Sequence, residues 1–316
     1  MKEYINIIYS TITYSPFTEI IAIVRTIIAS STLLTLLFNP INTLFKKVTG
    51  IDNPPICDAA TKYTAFCFTD GSYTILIVVK SLIIFALLLI ILGYIPQVIG
   101  ILHFYISYSI QNTMITIDGG EQVTLVITFW LMLISLFDNR INHWHSSTEK
   151  WKYNKAIGWA LIITLKLQIA YLYLNSAITK MKNREWLDGS AVYYYLNDNI
   201  YGIPKFLYNL FSFILETPLV GFVTWGTLII QLLIFASLFA GQKFRKIMFF
   251  VAITMHELFA LFIGLISFSL IMSAVLYFYF HSIRTKANGG DSIEKNSSMF
   301  NIISSSTNIY DTKRTS

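Results

Sequence analysis

The chain has 316 residues, of which 55% are hydrophobic and 13% are charged, and its net charge is +6. Soluble domains carry about 25% charged residues, so this composition excludes an ordinary soluble domain. The Lys and Arg residues collect between long apolar runs, as in the loops of membrane proteins, so the basic excess does not indicate a nucleic-acid partner. The sequence predicts an all-α polytopic transmembrane helix bundle with seven or eight spans in the lipid bilayer.

Residues 1–18 are aromatic and aliphatic, and they predict an N-terminal segment that lies in the membrane interface. The transmembrane bundle is predicted over residues 19–281, and the Ser- and Asn-rich residues 282–316 predict a disordered cytoplasmic tail. Residues 247–281 predict two helices with a break near Gly264, or one long tilted helix. The earlier spans are predicted at residues 19–38, 73–92, 97–115, 123–137, 156–178 and 219–240.

The distribution of basic residues predicts the orientation of the bundle. Basic residues are frequent in 138–155 and 241–246, which lie on one side of the membrane if the predicted spans are correct. The positive-inside rule makes that side the cytoplasm. Both termini are then cytoplasmic, and the loops at 39–72 and 179–218 face outward from a multi-pass protein of the cell membrane.

Both cysteines of the chain, Cys57 and Cys67, fall in the predicted outer loop 39–72. The space outside the cytoplasm is oxidising, so the two thiols are expected to form a disulfide. A disulfide here is either a structural staple or a redox-active pair. The spacing is not the Cys-x-x-Cys arrangement that tunes a catalytic thiol, which favours the staple.

Ionisable residues inside apolar spans are costly, so each is a candidate functional residue. Arg25 lies early in the first span and either reaches the interface or has a functional role. Lys166, Tyr173 and Lys180 recur every seven residues and therefore share a helix face. Lys180, at the outer end of that face, is either an interfacial anchor or a base. His256 is either a hydrogen-bonded core histidine or a catalytic residue.

A metal site is not predicted. His143 and His145 flank Trp144 in the basic loop, but side chains two positions apart do not share a helix face, and no further ligand is near them in sequence. No phosphate-binding loop, nucleophile elbow or repeated pair of carboxylates is present in the sequence.

The sequences around Lys180 and Trp186 resemble the horizontally transferred transmembrane (HTTM) family, which includes the vitamin K-dependent γ-carboxylase. The resemblance lies in residues 177–181, Ala-Ile-Thr-Lys-Met, and 185–189, Glu-Trp-Leu-Asp-Gly, which include Trp186, Asp188 and Gly189. It implies that Lys180 is the catalytic base, with Lys182 as an alternative because the interval to Trp186 is one residue longer. Arg25 matches an Arg in the family's first span, and His256 resembles a His in a late helix.

A closer resemblance is to the bacterial sporulation-delaying protein B subgroup. It runs through Asn53-Pro54-Pro55 with Cys57 and Cys67, through residues 117–121 with Asp118 and Glu121, and through residues 186–204. The resemblance implies a role in producing a secreted peptide toxin from a longer precursor, together with a small partner protein. Two departures from the carboxylase make vitamin K chemistry an unfavoured expectation. The chain ends soon after its helices, without a large lumenal domain, and residues 111–117 lack a counterpart of the polar His motif.

The leading hypothesis is a membrane maturation factor for a secreted antimicrobial peptide that acts at the outer face. Lys180 is the predicted base, and His256 and Arg25 are predicted to line one cavity with it. The structural candidates nearby are Lys166, Asp118, Glu121, Trp186, Asp188 and Gly189. One alternative is a carboxylase-like enzyme linked to a quinone or lipid cofactor, and another is a non-catalytic scaffold or immunity protein. The sequence identifies neither a reaction type nor a cofactor.

Overall fold

The computed structural model describes residues 14–45, 55, 57–59, 61–69, 71–115, 118–147, 151–198 and 202–281. Within these residues it contains twelve α-helices and no strands, which confirms the predicted all-α class. The predicted interfacial segment, apart from residues 14–18, and the predicted tail lie outside the described residues.

The helices of the described chain include six that are long and apolar enough to cross a membrane: α1, α3, α5, α6, α10 and α11. Two further helices fall short of these criteria: α4 has 18 residues but is more polar, and α12 is apolar but has only 15 residues. A short 3-10 helix, Ala65–Thr69, lies between α2 and α3. In chain order the helices are α1 (Glu19–Phe38), α2 (Ile41–Leu44), α3 (Tyr73–Leu92), α4 (Pro96–Thr113), α5 (Gly119–Leu136), α6 (Lys152–Lys180), α7 (Arg184–Leu187), α8 (Ala191–Leu196), α9 (Lys205–Leu215), α10 (Leu219–Ala236), α11 (Gln242–Ile263) and α12 (Ile266–Phe280).

The predicted break near Gly264 is present, so residues 247–281 form parts of two helices rather than one. Helix α11 ends at Ile263, and Gly264 has a φ of 78°, a left-handed conformation that glycine adopts without the steric cost of a Cβ. Helix α12 begins two residues later, at Ile266.

The chain divides into two compact units. Among the described residues, the N-terminal unit consists of those in Ser15–Leu165 and Leu265–Phe278, and the C-terminal unit of Tyr14, those in Lys166–Gly264 and residues 279–281. In the N-terminal unit α4 and α5 approach closely because Gly100 has no side chain. A Cβ at Gly100 would lie 2.8 Å from the Cβ of Ser135.

The predicted disulfide between Cys57 and Cys67 is present in the N-terminal unit, with a Cα–Cα distance of 5.8 Å. The adjoining 3-10 helix packs against the rest of this unit. The ring of Phe66 is fully buried and lies 4.8 Å from the ring of Phe45, and the backbone N–H of Ala65 donates to Ser109 Oγ on α4 at 3.0 Å. The disulfide therefore closes a loop that packs onto the helices.

Candidate functional site

A buried polar pair joins α6 and α11 in the C-terminal unit. The Tyr173 hydroxyl lies 3.0 Å from His256 Nε2, and both side chains are almost fully buried. Buried polar groups are costly unless they are hydrogen-bonded, so this contact fixes the position of both rings. The pair is therefore a fixed polar contact in the interior of the C-terminal unit.

Lys180 lies two turns beyond Tyr173 on the same face of α6. Its ammonium donates to Ser176 Oγ at 2.6 Å and sits 5.5 Å from the centre of the Trp186 ring. The side chain is half-buried. Lys180 and Tyr173 share a face of α6, and Tyr173 contacts His256, so these three residues are called the Lys180 cluster below. Lys182, the alternative base, is exposed.

The segment after Lys180 is held against α10. Gly189 has a φ of 88°, and a Cβ there would lie 3.0 Å from the Cα of Gly221. Its carbonyl accepts a hydrogen bond from Thr224 Oγ1 at 2.8 Å. The exposed Asp188 carboxylate accepts hydrogen bonds from the N–H and hydroxyl of Ser190, and these bonds lower the pKa of Asp188. Asp188 and Gly189 therefore form a turn directly after Trp186 that packs on α10.

Lys166 has a structural position at the end of α12. Its ammonium donates to the carbonyls of Tyr279 at 3.3 Å and of His281 at 2.5 Å. Arg245 Nη2 also donates to the Tyr279 carbonyl, at 2.9 Å. The last carbonyls of a helix lack partners within the helix, and cations near them are stabilising. Lys166 therefore caps α12 and is not part of the Lys180 cluster, although both lie on one face of α6.

Arg25 belongs to a second polar cluster, whose described members all lie in the N-terminal unit. The guanidinium is fully buried and donates to the Leu131 carbonyl at 3.3 Å, to Ser135 Oγ and to His143 Nδ1 at 3.3 Å. Arg25 does not reach a surface, and none of its described contacts is to Lys180 or His256. Arg25 belongs to the N-terminal unit, whereas Lys180 and His256 belong to the C-terminal unit, so the shared cavity expected for these three residues stays a prediction.

Asp138 and Arg140 form a buried ion pair that was not predicted from the sequence. The Asp138 carboxylate accepts bonds from Arg140 Nε at 2.9 Å and Nη2 at 2.7 Å, and both side chains are buried. Arg140 Nη1 donates to the carbonyls of His143 at 2.7 Å and His145 at 3.0 Å. The available signal was an Asp and an Arg two positions apart, directly after an apolar run.

The fully buried imidazole of His143 links this loop to the turn between α3 and α4. Gly93 has a φ of 82°, and a Cβ at that position would lie 2.1 Å from the His143 ring. The backbone N–H of His143 donates to the Gly93 carbonyl at 2.9 Å. Burial, and then the positive charges of Arg25 and Arg140, lower the pKa of His143 from 6.5 to about 3.

Asp118 and Glu121 lie at the start of α5. The Asp118 carboxylate accepts the N–H of Gly120 at 2.7 Å and so caps the helix. Glu121 is 4% exposed and faces the interior of the N-terminal unit. A Cβ at Gly120 would lie 2.9 Å from Ile271 Cδ1, so this end of α5 packs closely on α12. The described residues contain no group of three or more His, Cys, Asp or Glu side chains that could hold a metal.

Comparison with known proteins identifies two relatives in Bacillus subtilis (strain 168). The chain is 39% identical over 269 residues to the uncharacterized protein YitO, covering 84% of this chain and 86% of YitO. It is 34% identical over 275 residues to the sporulation-delaying protein SdpB, covering 86% of this chain and 84% of SdpB. No family model and no solved structure matches the chain, so the wider likeness to the HTTM family remains a prediction. The two alignments each cover more than four fifths of the chain, and it therefore belongs to the SdpB family.

Proposed function

We propose that this chain is a membrane factor in the production of a secreted antimicrobial peptide. The observation that carries the proposal is the 34% identity to the sporulation-delaying protein SdpB over 86% of the chain. Six helices able to cross a membrane support a location where a peptide precursor passes the bilayer. In this proposal the protein acts at the outer face of the cytoplasmic membrane, on the precursor and together with a small partner protein.

Lys180 is the proposed reactive base, and its surroundings support that assignment. The amine lies at the end of a 29-residue helix, half-buried, with Trp186 covering one side. Tyr173 and His256 form a fixed hydrogen-bonded pair on the same side of α6. An aromatic face favours the charged ammonium, so a substrate that displaces Trp186 would favour loss of the ammonium proton to water. The neutral Lys180 amine could then accept a proton from the substrate.

The test uses a strain that lacks the gene, complemented with variants of the full chain. Lys180→Arg keeps the positive charge and the contact with Trp186 but cannot give up its proton. We expect this variant to lower toxin activity in the culture medium by about a hundredfold, at an unchanged level of the protein in the membrane. Lys182→Arg is the matched control, because it makes the same change at an exposed amine two positions away, and it should retain activity within about twofold.

Other outcomes distinguish the alternatives. If Lys180→Arg is fully active and Lys180→Ala is not, Lys180 is an anchor and the catalytic proposal is wrong. If both variants are active while loss of the gene abolishes the toxin, the protein acts as a non-catalytic scaffold. Toxin production that continues without the gene would overturn the proposed function as a whole. A quinone that co-purifies with the protein would instead support the enzyme with a lipid cofactor.

A further inference from the structure

Arg25 is a buried cation without an anionic partner. Its guanidinium is fully buried in the N-terminal unit, and its hydrogen bonds go to a carbonyl, a hydroxyl and an imidazole, which are all neutral acceptors. The Nε–H has no acceptor among the described residues. A buried charge is costly unless it is paired, and an unmade hydrogen bond to a charged group adds to that cost.

None of the described acidic side chains of this unit is available to neutralise Arg25. Asp138 is engaged by Arg140 through three short contacts, so two guanidiniums share one carboxylate and one net positive charge remains. Glu121 lies fourteen residues before Ser135 on α5, which is about 21 Å along the helix. The remaining three carboxylates are exposed or used in capping: Glu19, Asp58 and Asp118.

The ring of His103 on α4 also lacks hydrogen-bond partners. It is 1% exposed, and neither ring nitrogen has a partner among the described residues. His103 is one turn beyond Gly100, which packs on Ser135, and Ser135 accepts a hydrogen bond from Arg25. The imidazole therefore lies near the guanidinium. Either tautomer of the imidazole presents one N–H donor. The Arg25 Nε–H and one N–H of His103 therefore both lack an acceptor, and they lie near a positive charge that no anion neutralises.

We propose that the N-terminal unit binds a small carboxylate-class anion between Arg25 and His103. A carboxylate satisfies the guanidinium Nε–H and the imidazole N–H with its two oxygens, and it neutralises the remaining charge. Water would supply the acceptors but not the charge. A metal cation would be repelled by Arg25. This proposal uses none of the residues assigned to the proposed reaction and does not depend on the proposed function.

The test measures anion binding to the purified full chain in nanodiscs of zwitterionic lipid. The probe is sodium formate, titrated against sodium chloride at constant ionic strength, and the readout is the thermal unfolding midpoint. At about ten times its dissociation constant, formate should raise the midpoint by about 3 °C, with a saturable dependence on concentration. Octanoate is the second probe, and binding of octanoate in preference to formate would identify an acyl chain as the source of the carboxylate.

The variants assign the effect to the site. His103→Leu should abolish the shift, and His103→Gln, which keeps one donor, should weaken apparent binding by at least about threefold. His145→Gln changes an exposed histidine in the same unit and should behave as the unchanged protein. If His103→Leu is not recovered from membranes, His103→Gln alone decides. No saturable shift with either carboxylate, or an equal shift in the His103 variants, would overturn the proposal.

Discussion

His143 connects three parts of the N-terminal unit through one ring. Its Nδ1 accepts from Arg25, its main chain pairs with Gly93, and its carbonyl accepts from Arg140. Because Arg25 donates to Nδ1, the proton of the neutral ring lies on Nε2. A second proton would bring a third positive charge beside two guanidiniums that share one carboxylate.

This position predicts a pH-dependent stability. The pKa of His143 is lowered from 6.5 to about 3 in the folded protein, so below pH 6.5 the unfolded chain takes up a proton that the folded chain refuses. The free energy of unfolding should therefore fall as the pH drops from about 6.5 toward 3, by at most about 1.4 kcal/mol per pH unit from this group. The measurement is the thermal unfolding midpoint in nanodiscs between pH 7.5 and 5.

Two histidine variants provide the comparison. His143→Gln should reduce the slope of the midpoint against pH in that range, although it also lowers stability at neutral pH. His145→Gln, at an exposed position, should leave the slope unchanged. An unchanged slope in His143→Gln would show that other groups cause the acid sensitivity.

Prediction from single residues succeeded where the residue type or its spacing has one dominant structural meaning. Two cysteines in one loop predict a disulfide, and the seven-residue spacing of Tyr173 and Lys180 predicts a shared helix face. It failed for Arg140, which lies in the basic loop predicted at 138–155 but is buried against Asp138. Hydropathy scores each residue by its type alone, so it cannot show that a charged residue is buried by pairing with a nearby carboxylate and loop carbonyls.

The turn between α3 and α4 is the element with the tightest steric requirement. Gly93 ends α3 in a left-handed conformation, and Ile95 N–H donates to the Ile141 carbonyl at 2.8 Å. A methyl group at Gly93 would overlap the His143 ring and impose backbone strain. We therefore expect Gly93→Ala to destabilise the protein by about 3 kcal/mol, measured as a lower unfolding midpoint and a lower yield of folded protein.

Gly264→Ala is the matched control for this prediction. Gly264 has a similar φ of 78°, but no atom lies within 4 Å of a Cβ built there. The control therefore carries the backbone strain alone, at a cost of about 1 kcal/mol. Equal effects of the two substitutions would mean that the His143 ring moves aside freely.

At the scale of elements, two spans, 19–38 and 73–92, were predicted to the residue, whereas the span predicted at 219–240 ends at Ala236. Helices α1 and α3 begin and end where the apolar runs do, because their limits are polar residues or a glycine. Residues 179–218 were predicted as an outer loop, yet they contain α7, α8 and α9. Helix α9 has an apolar face at Phe206, Leu210 and Phe213, spaced by four and three residues. A run of 11 residues is too short to register as a span, so the segment was assigned to a loop.

For the whole molecule, the orientation in the membrane is a prediction with a direct test. If the N-terminus is cytoplasmic, the loop that carries Cys57 and Cys67 faces outward. A membrane-impermeant thiol reagent should then label intact cells only after a reductant has opened the disulfide. A Cys57→Ser, Cys67→Ser variant is the control and should remain unlabelled, because these are the only two cysteines of the chain.

The alternatives give different labelling patterns. Labelling without a reductant would contradict the disulfide. Labelling only in permeabilised cells would place the loop in the cytoplasm and reverse the orientation. The second result would also remove Lys180 from the outer face, since the same count of spans assigns both positions.

The cap that Lys166 forms on α12 has a consequence for biosynthesis. The Lys166 amine and the Tyr279 carbonyl are separated by 113 residues in the chain, so the ribosome completes α6 long before its partner exists. At 5–20 residues per second the interval is on the order of ten seconds. During that time α6 must enter the bilayer without the carbonyls that accept from its amine in the folded chain, a cost of a few kcal/mol that its apolar length must outweigh. The end of α12 then supplies those two acceptors.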